Sequence, residues 1–318
     1  MKIAIAGFEA GAAAYVRPLM ARWEESDEIQ FQSFFAPPDS RYDPPTKAFL
    51  RWLSESDVLL LSATGNERET ELRAFAGDAG IPCAQIVDTW YNYLARFDEN
   101  AVPPAEIVWP DLIFVVDDAA RAEAIEASLP SDRLAVAGQP AWEDVPSLPK
   151  GEDGTILFID QTLRRSSKIA HKYNEMDTFR ILQRLVSIGD NGWQRLLVCP
   201  HPKREDPSIF ATELVRPQEG LRRARVVVGM YSSLMVEGLL GGKWVVSLQP
   251  GELMGNRDIL SRRGLIPLVD DYESLVEVLA SPPTPSSNDE FMKLFEGSAA
   301  RVESALRRLA AQHAALIA

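Results

Sequence analysis

The sequence predicts an α/β protein with two Rossmann-like domains, each containing a doubly wound parallel sheet, that face each other across a cleft. Apolar runs of strand length alternate with helical segments along the 318 residues, which is typical of parallel sheets with helices on both faces. The alternation is interrupted at residues 145–154, where proline, glycine and charged residues indicate a linker. We therefore expect domains at 1–147 and 148–318, and the last helix is free to pack back on the first domain.

The first half supplies five apolar runs that we interpret as strands. The predicted strands are 2–6, 29–35, 57–63, 82–87 and 112–116, and the predicted helices are 12–24, 47–55, 69–79 and 119–128. A glycine-flanked turn at 7–11 joins the first strand to the first helix. This turn lacks the third glycine of the dinucleotide fingerprint, because alanines follow it, so we do not expect NAD to bind there.

The second half repeats the alternation after the linker. The predicted strands are 155–159, 195–199, 226–229 and 244–248, and the predicted helices are 176–188, 233–240, 272–280 and a long closing helix from 288 to the end. Because consecutive strands are joined through helices, we expect them to run parallel, with their carboxyl ends at one edge of the sheet.

The composition is that of a globular protein that does not bind nucleic acid. Hydrophobic residues make up 46% and charged residues 25% of the chain, and the formal net charge is -13. This charge disfavours binding to nucleic acid and to anionic membranes. No apolar segment approaches the length of a membrane span, so we expect at most peripheral association with a membrane. The N-terminus does not resemble a signal peptide, and we expect a cytoplasmic protein.

Cysteines and acidic pairs give no indication of a disulfide framework or a metal site. Cys83 and Cys199 each end an apolar run and are expected to be buried thiols. The adjacent pairs Asp117-Asp118 and Asp270-Asp271 are expected to be helix-start or surface acids. No group of residues has the spacing of metal ligands, so we predict that no metal binds.

A βαβ unit at 224–250 carries the clearest indication of a ligand site. Its first strand ends in a turn that leads to Ser232 and Ser233, where a short helix begins. A helix start presents unpaired amides and partial positive charge, and two hydroxyls beside them suit a phosphate. Glu237 lies one helical turn further on and can accept hydrogen bonds from ribose hydroxyls. The alternative is that the two serines only cap the helix.

A second candidate follows the strand at 195–199, where His201 stands between Pro200 and Pro202. The two prolines favour an extended backbone, which delivers the imidazole to the carboxyl edge of the sheet. An imidazole can donate to a phosphate and, when protonated, offset its charge. We expect it to close over the phosphate from the neighbouring strand; the alternative is a structural histidine. The loop at 161–165 either makes further contacts with the bound ligand or is a solvated basic loop.

The order of these motifs resembles that of the GT-B glycosyltransferases. The motifs that carry the resemblance are His201-Pro202, Ser232-Ser233, Glu237 and Gly242-Lys243. The likeness is greatest to branches with CMP- or CDP-activated donors, such as bacterial sialyl-, polysialyl- and Kdo-type transferases and CDP-glycerol glycerophosphotransferases. Residues 110–144, which contain Gly138-Gln139-Pro140, also resemble the end of the N-terminal domain in that superfamily.

The resemblance implies roles for individual residues of the second domain. His201 and Pro202 would contact the phosphate of a nucleotide-sugar donor, Ser232 and Ser233 would bind that phosphate, and Glu237 would bind the ribose. The first domain would bind the acceptor. The resemblance also implies catalysis without a metal ion or any other cofactor.

A transferase needs a base that removes the proton of the acceptor hydroxyl. Acidic residues that end predicted strands of the first domain are candidates: Asp88 first, then Glu9, with Glu67 as a third. Trp90 and the nearby tyrosines could stack on a sugar, or they could be core aromatics. The alternative role of Asp88 is to cap the following helix.

These observations together predict a glycosyltransferase. It would move a sugar, a nonulosonic acid or a related acidic sugar, from a CMP-type donor to a surface glycan or a protein. The alternatives are a nucleotide-sugar 2-epimerase or a UDP-sugar transferase of the same fold, and a non-catalytic protein that binds nucleotide sugars. A non-catalytic protein would bind such a ligand without turnover.

Overall fold

The computed structural model describes residues 1–8, 12–36, 43–62, 64–97, 107–163, 174–189, 192–251, 256, 258–281 and 289–317. The chain divides into two compact units, of which the first comprises Met1–Asp144 and Glu290–Ala318 and the second Val145–Asp289. The division thus falls at 144/145, against 147/148 in the sequence-based division. The last helix belongs to the first unit.

The first unit contains a six-stranded parallel sheet within the described ranges. Its strands are β1 (Lys2–Gly7), β2 (Gln30–Phe35), β3 (Val58–Ser62), β4 (Cys83–Ile86), β5 (Leu112–Val115) and β6 (Leu134–Val136), in the order β2-β1-β3-β4-β5-β6. The helices between them are α1 (Ala12–Glu24), α2 (Lys47–Leu53), α3 (Glu67–Asp78) and α4 (Asp118–Glu126). The strand order reverses between β1 and β3, as in flavodoxin-like sheets.

The second unit contains a second six-stranded parallel sheet among its described residues. Its strands are β7 (Thr155–Ile159), β8 (Arg195–Cys199), β9 (Glu213–Leu214), β10 (Val226–Gly229), β11 (Trp244–Leu248) and β12 (Leu268–Val269). They lie in the order β12-β11-β10-β7-β8-β9, which is the strand order of a Rossmann fold. The helices are α5 (Glu175–Ile188), α6 (Pro217–Arg223), α7 (Ser233–Leu240), α8 (Ile259–Arg262) and α9 (Tyr272–Ala280).

After α9 the chain returns to the first unit through α10 (Asp289–Lys293) and α11 (Ser298–Ile317). The sequence predicted one closing helix from 288 onwards, and the structure has two, separated by a turn at 294–297. The amphipathic face of α11 buries Val302 and Leu306 against the first sheet, beside Trp23 of α1. Burial of this apolar face accounts for the return of the last helix.

The strands are buried on both faces, which explains why their sequences are continuous apolar runs. All five residues of β7 and all four of β10 are buried. One face of the second sheet is covered by Phe179 and Leu182 of α5 together with Leu275 of α9. The doubly wound α/β fold predicted from the sequence is therefore confirmed.

The sequence-based assignment lacks the short strands β6, β9 and β12 and the short helices α6 and α8. Cys83 and Cys199 are free and buried, as predicted. Among the described helices, none is long and apolar enough to cross a membrane.

Candidate functional site

The strand order of the second sheet reverses between β7 and β10, and ligands of open α/β sheets bind at such a point. The two strands pair directly, with Val226 opposite Ile156 and Val228 opposite Phe158. The side chain of Gln161, just beyond the end of β7, also links the segments that follow the two strands. Its Oε1 accepts a hydrogen bond of 2.9 Å from the backbone N–H of Tyr231, just beyond β10.

The turn after β10 is also held from β11. Ser247 Oγ donates to the carbonyl oxygen of Met230 at 2.6 Å, and Gln249 Nε2 donates to the same oxygen at 3.2 Å. Gln249 Nε2 also donates to Ser247 Oγ at 2.9 Å, and both side chains are fully buried. Polar side chains from the strand on each side therefore fix the backbone that leads into α7.

The start of α7 gives its two serines different roles. Ser232 is the N-cap, and its Oγ accepts from the backbone N–H of Leu234 at 3.3 Å. Ser233 is the first residue of the helix, and its hydroxyl makes no hydrogen bond to any other described residue. Both serines are half-buried. The capping alternative therefore describes Ser232, and it leaves the Ser233 hydroxyl available beside the helix amides.

A glycine allows α7 to approach the strand end closely. A Cβ at Gly229, the last residue of β10, would lie 2.8 Å from Met235 Sδ in the first turns of α7. A side chain at this position would require the thioether of Met235 to move. Glycine therefore allows Met235 to pack against the end of β10.

Glu237, the expected ribose ligand, is half-buried one turn further along α7. Its Oε2 accepts a hydrogen bond of 3.2 Å from Gln218 Nε2 of α6. Burial raises the pKa of this carboxyl above its ordinary value, and the hydrogen bond from Gln218 opposes that rise. An amide-paired carboxylate remains able to accept from further hydroxyls, because it has about four lone-pair sites.

His201 lies beyond β8, but β8 and β10 are not neighbours. β7 lies between them, so the expectation that the imidazole approaches from the neighbouring strand is wrong. The ends of β8 and β10 are two strand spacings, about 10 Å, apart. His201 Nδ1 accepts from the backbone N–H of Lys203 at 3.1 Å. In the neutral ring the proton is then on Nε2, which becomes the donor. Pro202, the next residue, is exposed.

A charged cluster that the sequence analysis missed lies beside His201. Asp160, directly after β7, accepts from His201 N at 3.0 Å and from Arg204 Nε and Nη2 at 2.9 and 2.6 Å. Arg204 Nη2 also donates to Glu175 Oε1 at 3.0 Å. The side chain of Asp160 is fully buried, and that of Glu175 is 1% exposed. The position of Asp160 at the end of an apolar strand was the available sequence signal.

The candidate bases lie in the first unit. Asp88 is 9% exposed and lies 3.2 Å from Arg96 Nη1 through its Oδ1. The next described helix is a 3-10 turn capped by Tyr93, so Asp88 is not its N-cap. Glu67 is exposed at the start of α3. Glu9 lies outside the described residues.

Of the aromatic residues near Asp88, Trp90 and Tyr93 belong to the core of the first unit, and Tyr91 is half-buried. Trp90 is 3% exposed, stacks on Trp142 at a centroid distance of 5.4 Å, and donates from Nε1 to Asp117 Oδ2 at 2.8 Å. Tyr93 is 5% exposed. Asp117 also caps α4, and Asp271 caps α9, as expected of helix-start acids. Of the two roles left open for Trp90, the structure shows the core role.

Comparison with known proteins bears on the fold. No protein-family model matches the chain, and no relative was found among curated proteins. The UDP-GlcNAc 2-epimerase from Methanocaldococcus jannaschii has a TM-score of 0.62 at 11% identity, and the match covers 97% of this chain and 100% of that one. The UDP-GlcNAc 2-epimerase from Neisseria meningitidis, bound to UDP-GlcNAc, gives the same TM-score, identity and coverage.

A glycosyltransferase has the same fold. The lipopolysaccharide outer core galactosyltransferase WaaB has a TM-score of 0.51 at 12% identity, and the match covers 97% of this chain and 99% of that one. These structural likenesses show that the chain has a two-domain, Rossmann-like GT-B fold. At such low identities they describe the architecture and no more.

Proposed function

We propose that this protein binds a nucleotide sugar at the carboxyl edge of its second sheet, with a phosphate at the start of α7. The observation that carries this proposal is the Ser233 hydroxyl, which stands beside the helix amides at the reversal of the strand order. The backbone before it is held by Gln161 and Gln249. A preformed group of donors at a helix start favours an anionic ligand.

The other residues named from the sequence complete the proposed nucleotide site. Glu237 accepts from the ribose hydroxyls while Gln218 holds its other side. His201 donates to the phosphate from the far side of β7, and Pro202 restricts the backbone of the histidine. The helix start and the imidazole then stabilise the negative charge that develops on a departing nucleotide.

The reaction we propose is glycosyl transfer from this nucleotide sugar. The resemblance of the sequence motifs favours a CMP-type donor that carries an acidic sugar, with a surface glycan or a protein as the acceptor. Asp88 is the residue we propose as the base, and Glu9 is the second choice. A transferase with the same fold, WaaB, is consistent with this reaction class.

A second candidate is epimerisation at C2 of a UDP-sugar. Two epimerases that act on UDP-GlcNAc match this chain over 97% of its length, so an enzyme of this architecture can perform that reaction. The two candidates differ in their products. An epimerase converts UDP-GlcNAc without an acceptor, whereas a transferase releases the nucleotide only when an acceptor or water takes the sugar.

A thermal-shift panel of CMP, CDP, UDP and GDP and their sugars tests the proposal, because a ligand that binds only the native state raises the melting temperature. We expect one nucleotide and its sugar to raise it, and Ser233→Ala to reduce that shift. Ser304→Ala, which removes an exposed hydroxyl from α11, is the control. If no member of the panel shifts the wild type, the proposal is wrong.

The panel also separates the two reactions and a binding protein. Incubation of the stabilising nucleotide sugar with the wild type, followed by product analysis, shows transfer, epimerisation or no turnover. No turnover together with tight binding would identify a nucleotide-sugar-binding protein.

A further inference from the structure

A cavity of about 250 Å³ opens at the carboxyl ends of β7 and β8, on the side away from the Ser232-Ser233 turn. It lies where the start of α5 meets the loop after β8. The residues around it are, apart from Ile209, polar or charged, although the aliphatic parts of their side chains form most of the lining surface: Thr162, Glu175, Lys203, Arg204, Glu205 and Asp206. We call this cavity the α5 pocket.

Glu175, the first residue of α5, has one buried oxygen without a hydrogen-bond donor. Its Oε1 accepts from Arg204 Nη2 at 3.0 Å. Its Oε2 is buried and has no partner within the described part of the chain. A buried carboxylate oxygen without a donor destabilises the protein, and more so when the group is charged. Because Glu175 lines the α5 pocket, a molecule that enters the pocket and displaces the atoms covering Oε2 can supply the missing donor.

The protein cannot supply that donor by moving Arg204. This guanidinium already makes two hydrogen bonds to Asp160 as well as the one to Glu175. One cation therefore serves two buried carboxylates. Turning it towards Glu175 Oε2 would break the paired bonds to Asp160, whose side chain has no exposed surface.

The charge of the pocket disfavours an anion in it. Three of its lining side chains are acidic (Glu175, Glu205 and Asp206), and two are basic (Lys203 and Arg204). An incoming phosphate or carboxylate would place a further negative charge near Glu175 Oε2. A neutral group with an O–H or N–H donor pairs with that oxygen without such repulsion.

We propose that the α5 pocket is a specificity subsite that binds a neutral, hydrogen-bond-donating part of the nucleotide sugar through Glu175 Oε2. This inference rests on the proposed function. The donor comes from one of two sources, an N–H of the nucleobase or an O–H of the sugar. The distance is suitable, because the ends of β10 and β8 are about 10 Å apart, which is within the length of a nucleotide.

The α5 pocket restricts which chemical groups of the substrate can bind beside Glu175. Phosphate binds at the start of α7 and not in the pocket, and a sugar whose only contact there would be a carboxylate is rejected. If the sugar occupies the pocket, it presents a hydroxyl to Glu175 Oε2, and an acidic sugar directs its carboxylate elsewhere. If the base occupies it, the pocket selects among nucleotides and tolerates either kind of sugar.

Isothermal titration calorimetry of three proteins tests the subsite, with UDP, CMP, UDP-GlcNAc and a CMP-activated nonulosonic acid as ligands. Glu175→Gln keeps an oxygen for Arg204 but replaces the unpartnered acceptor with an NH₂ group. We expect the affinity of the best ligand to fall about tenfold, which corresponds to the loss of one hydrogen bond to a charged group. Asp177→Asn, in the same helical turn but outside the pocket lining, should change affinity less than about twofold.

A second variant keeps the test independent of the buried cluster. Ile209 is 44% exposed and lines the pocket, so Ile209→Trp fills the pocket without removing a hydrogen-bonding group of Asp160, Arg204 or Glu175. We expect this variant to fold and to lose at least about tenfold in affinity by occlusion. Circular dichroism and melting temperature verify the fold of each variant.

The outcomes separate this inference from the proposed function. Wild-type affinity in both Glu175→Gln and Ile209→Trp would overturn the subsite and leave the nucleotide site at α7 intact. Failure of the wild type to bind any of the four ligands would overturn the proposed function and the subsite with it. An effect seen already with UDP or CMP assigns the donor to the base, and an effect confined to the nucleotide sugars assigns it to the sugar.

Discussion

The carboxyl edges of the two sheets each contain a buried glutamate in the first turn of a helix, and the two glutamates are treated differently. In the first unit, Glu69 of α3 is fully buried and accepts four hydrogen bonds. They come from Thr64 N at 3.0 Å, Thr64 Oγ1 at 2.7 Å, Ser62 Oγ at 3.3 Å and Gln85 Nε2 at 3.2 Å. Every lone-pair direction of this carboxylate is used within the protein.

In the second unit, Glu175 of α5 has one oxygen paired with Arg204 and one without a donor, and it lines a cavity. Both glutamates are buried, so burial alone does not distinguish a structural carboxylate from one that binds a ligand. Complete internal hydrogen bonding indicates a structural role for Glu69, and an unpaired oxygen beside a cavity indicates a ligand for Glu175.

The largest effect on stability is expected from removing the carboxylate of Asp160, which holds Arg204 and the backbone of His201 at the carboxyl edge of the second sheet. Asp160→Ala leaves Arg204 without its paired bonds and removes the acceptor for His201 N. We expect the free energy of unfolding to fall by about 3–5 kcal/mol, because one partner of a buried ion pair is lost. Urea unfolding followed by fluorescence measures it.

A matched variant controls for the loss of charge. Asp153→Ala removes a carboxylate whose side chain is 83% exposed and which pairs with Lys150 at 3.6 Å. We expect it to change stability by less than about 1 kcal/mol. Equal effects of the two substitutions would contradict the anchoring role of Asp160.

The second-largest expected effect is a pH dependence of the unfolding free energy, caused by Glu69 at the carboxyl edge of the first sheet. Burial raises the pKa of Glu69 from 4.5 to about 7, although the hydrogen bonds from Thr64 lower it. Because the folded pKa exceeds the unfolded one, the native state holds this proton more tightly, and stability falls as pH rises from about 4.5 to about 7. The loss is roughly 3 kcal/mol, at about 1.4 kcal/mol per pKa unit.

Glu69→Gln should therefore flatten that pH dependence. We expect the difference in unfolding free energy between wild type and variant to change by roughly 3 kcal/mol between pH 4.5 and pH 7.5. The buried carboxyl of Asp258 contributes a slope of the same sign, which cancels in the difference. Glu71→Gln, an exposed change in the same helix, is the control, and a parallel pH profile for Glu69→Gln would refute the account.

The smallest effect separates the two serines of α7. Ser232→Ala removes the N-cap bond to Leu234, and we expect it to lower stability by about 1 kcal/mol. Ser233→Ala removes no hydrogen bond within the described residues, so stability should stay within about 0.5 kcal/mol. Nucleotide affinity should instead fall several-fold in Ser233→Ala. A reversed pattern would exchange the roles given to the two hydroxyls.

The fold was accessible from the sequence because its strands are buried on both faces. Every residue of Thr155–Ile159 and Val226–Gly229 is buried, and a parallel sheet between helices buries such runs on both faces. The short elements were not predicted because they do not form long, continuous apolar runs. β9 (Glu213–Leu214) is an exposed two-residue edge strand, and α6 contains Gly220, which packs against Leu157.

The candidate site was only partly accessible. The serine pair follows from local order along the chain, because a strand, a turn and a helix start are consecutive. The cluster of Asp160, Glu175 and Arg204 does not, since its members come from three separate segments joined by the sheet order. The wrong expectation that β8 adjoins β10 has the same origin: motif order does not reveal that β7 is inserted between them.

The central claim is that a nucleotide phosphate binds at the start of α7. Amide chemical-shift mapping by NMR, during titration with the nucleotide that stabilises the protein most, tests it directly. We predict the largest shifts at Ser233 and Leu234, with a change in the imidazole signals of His201. Shifts confined to the first unit, around Thr64 or Asp88, with Ser233 unmoved at saturation, would contradict the account.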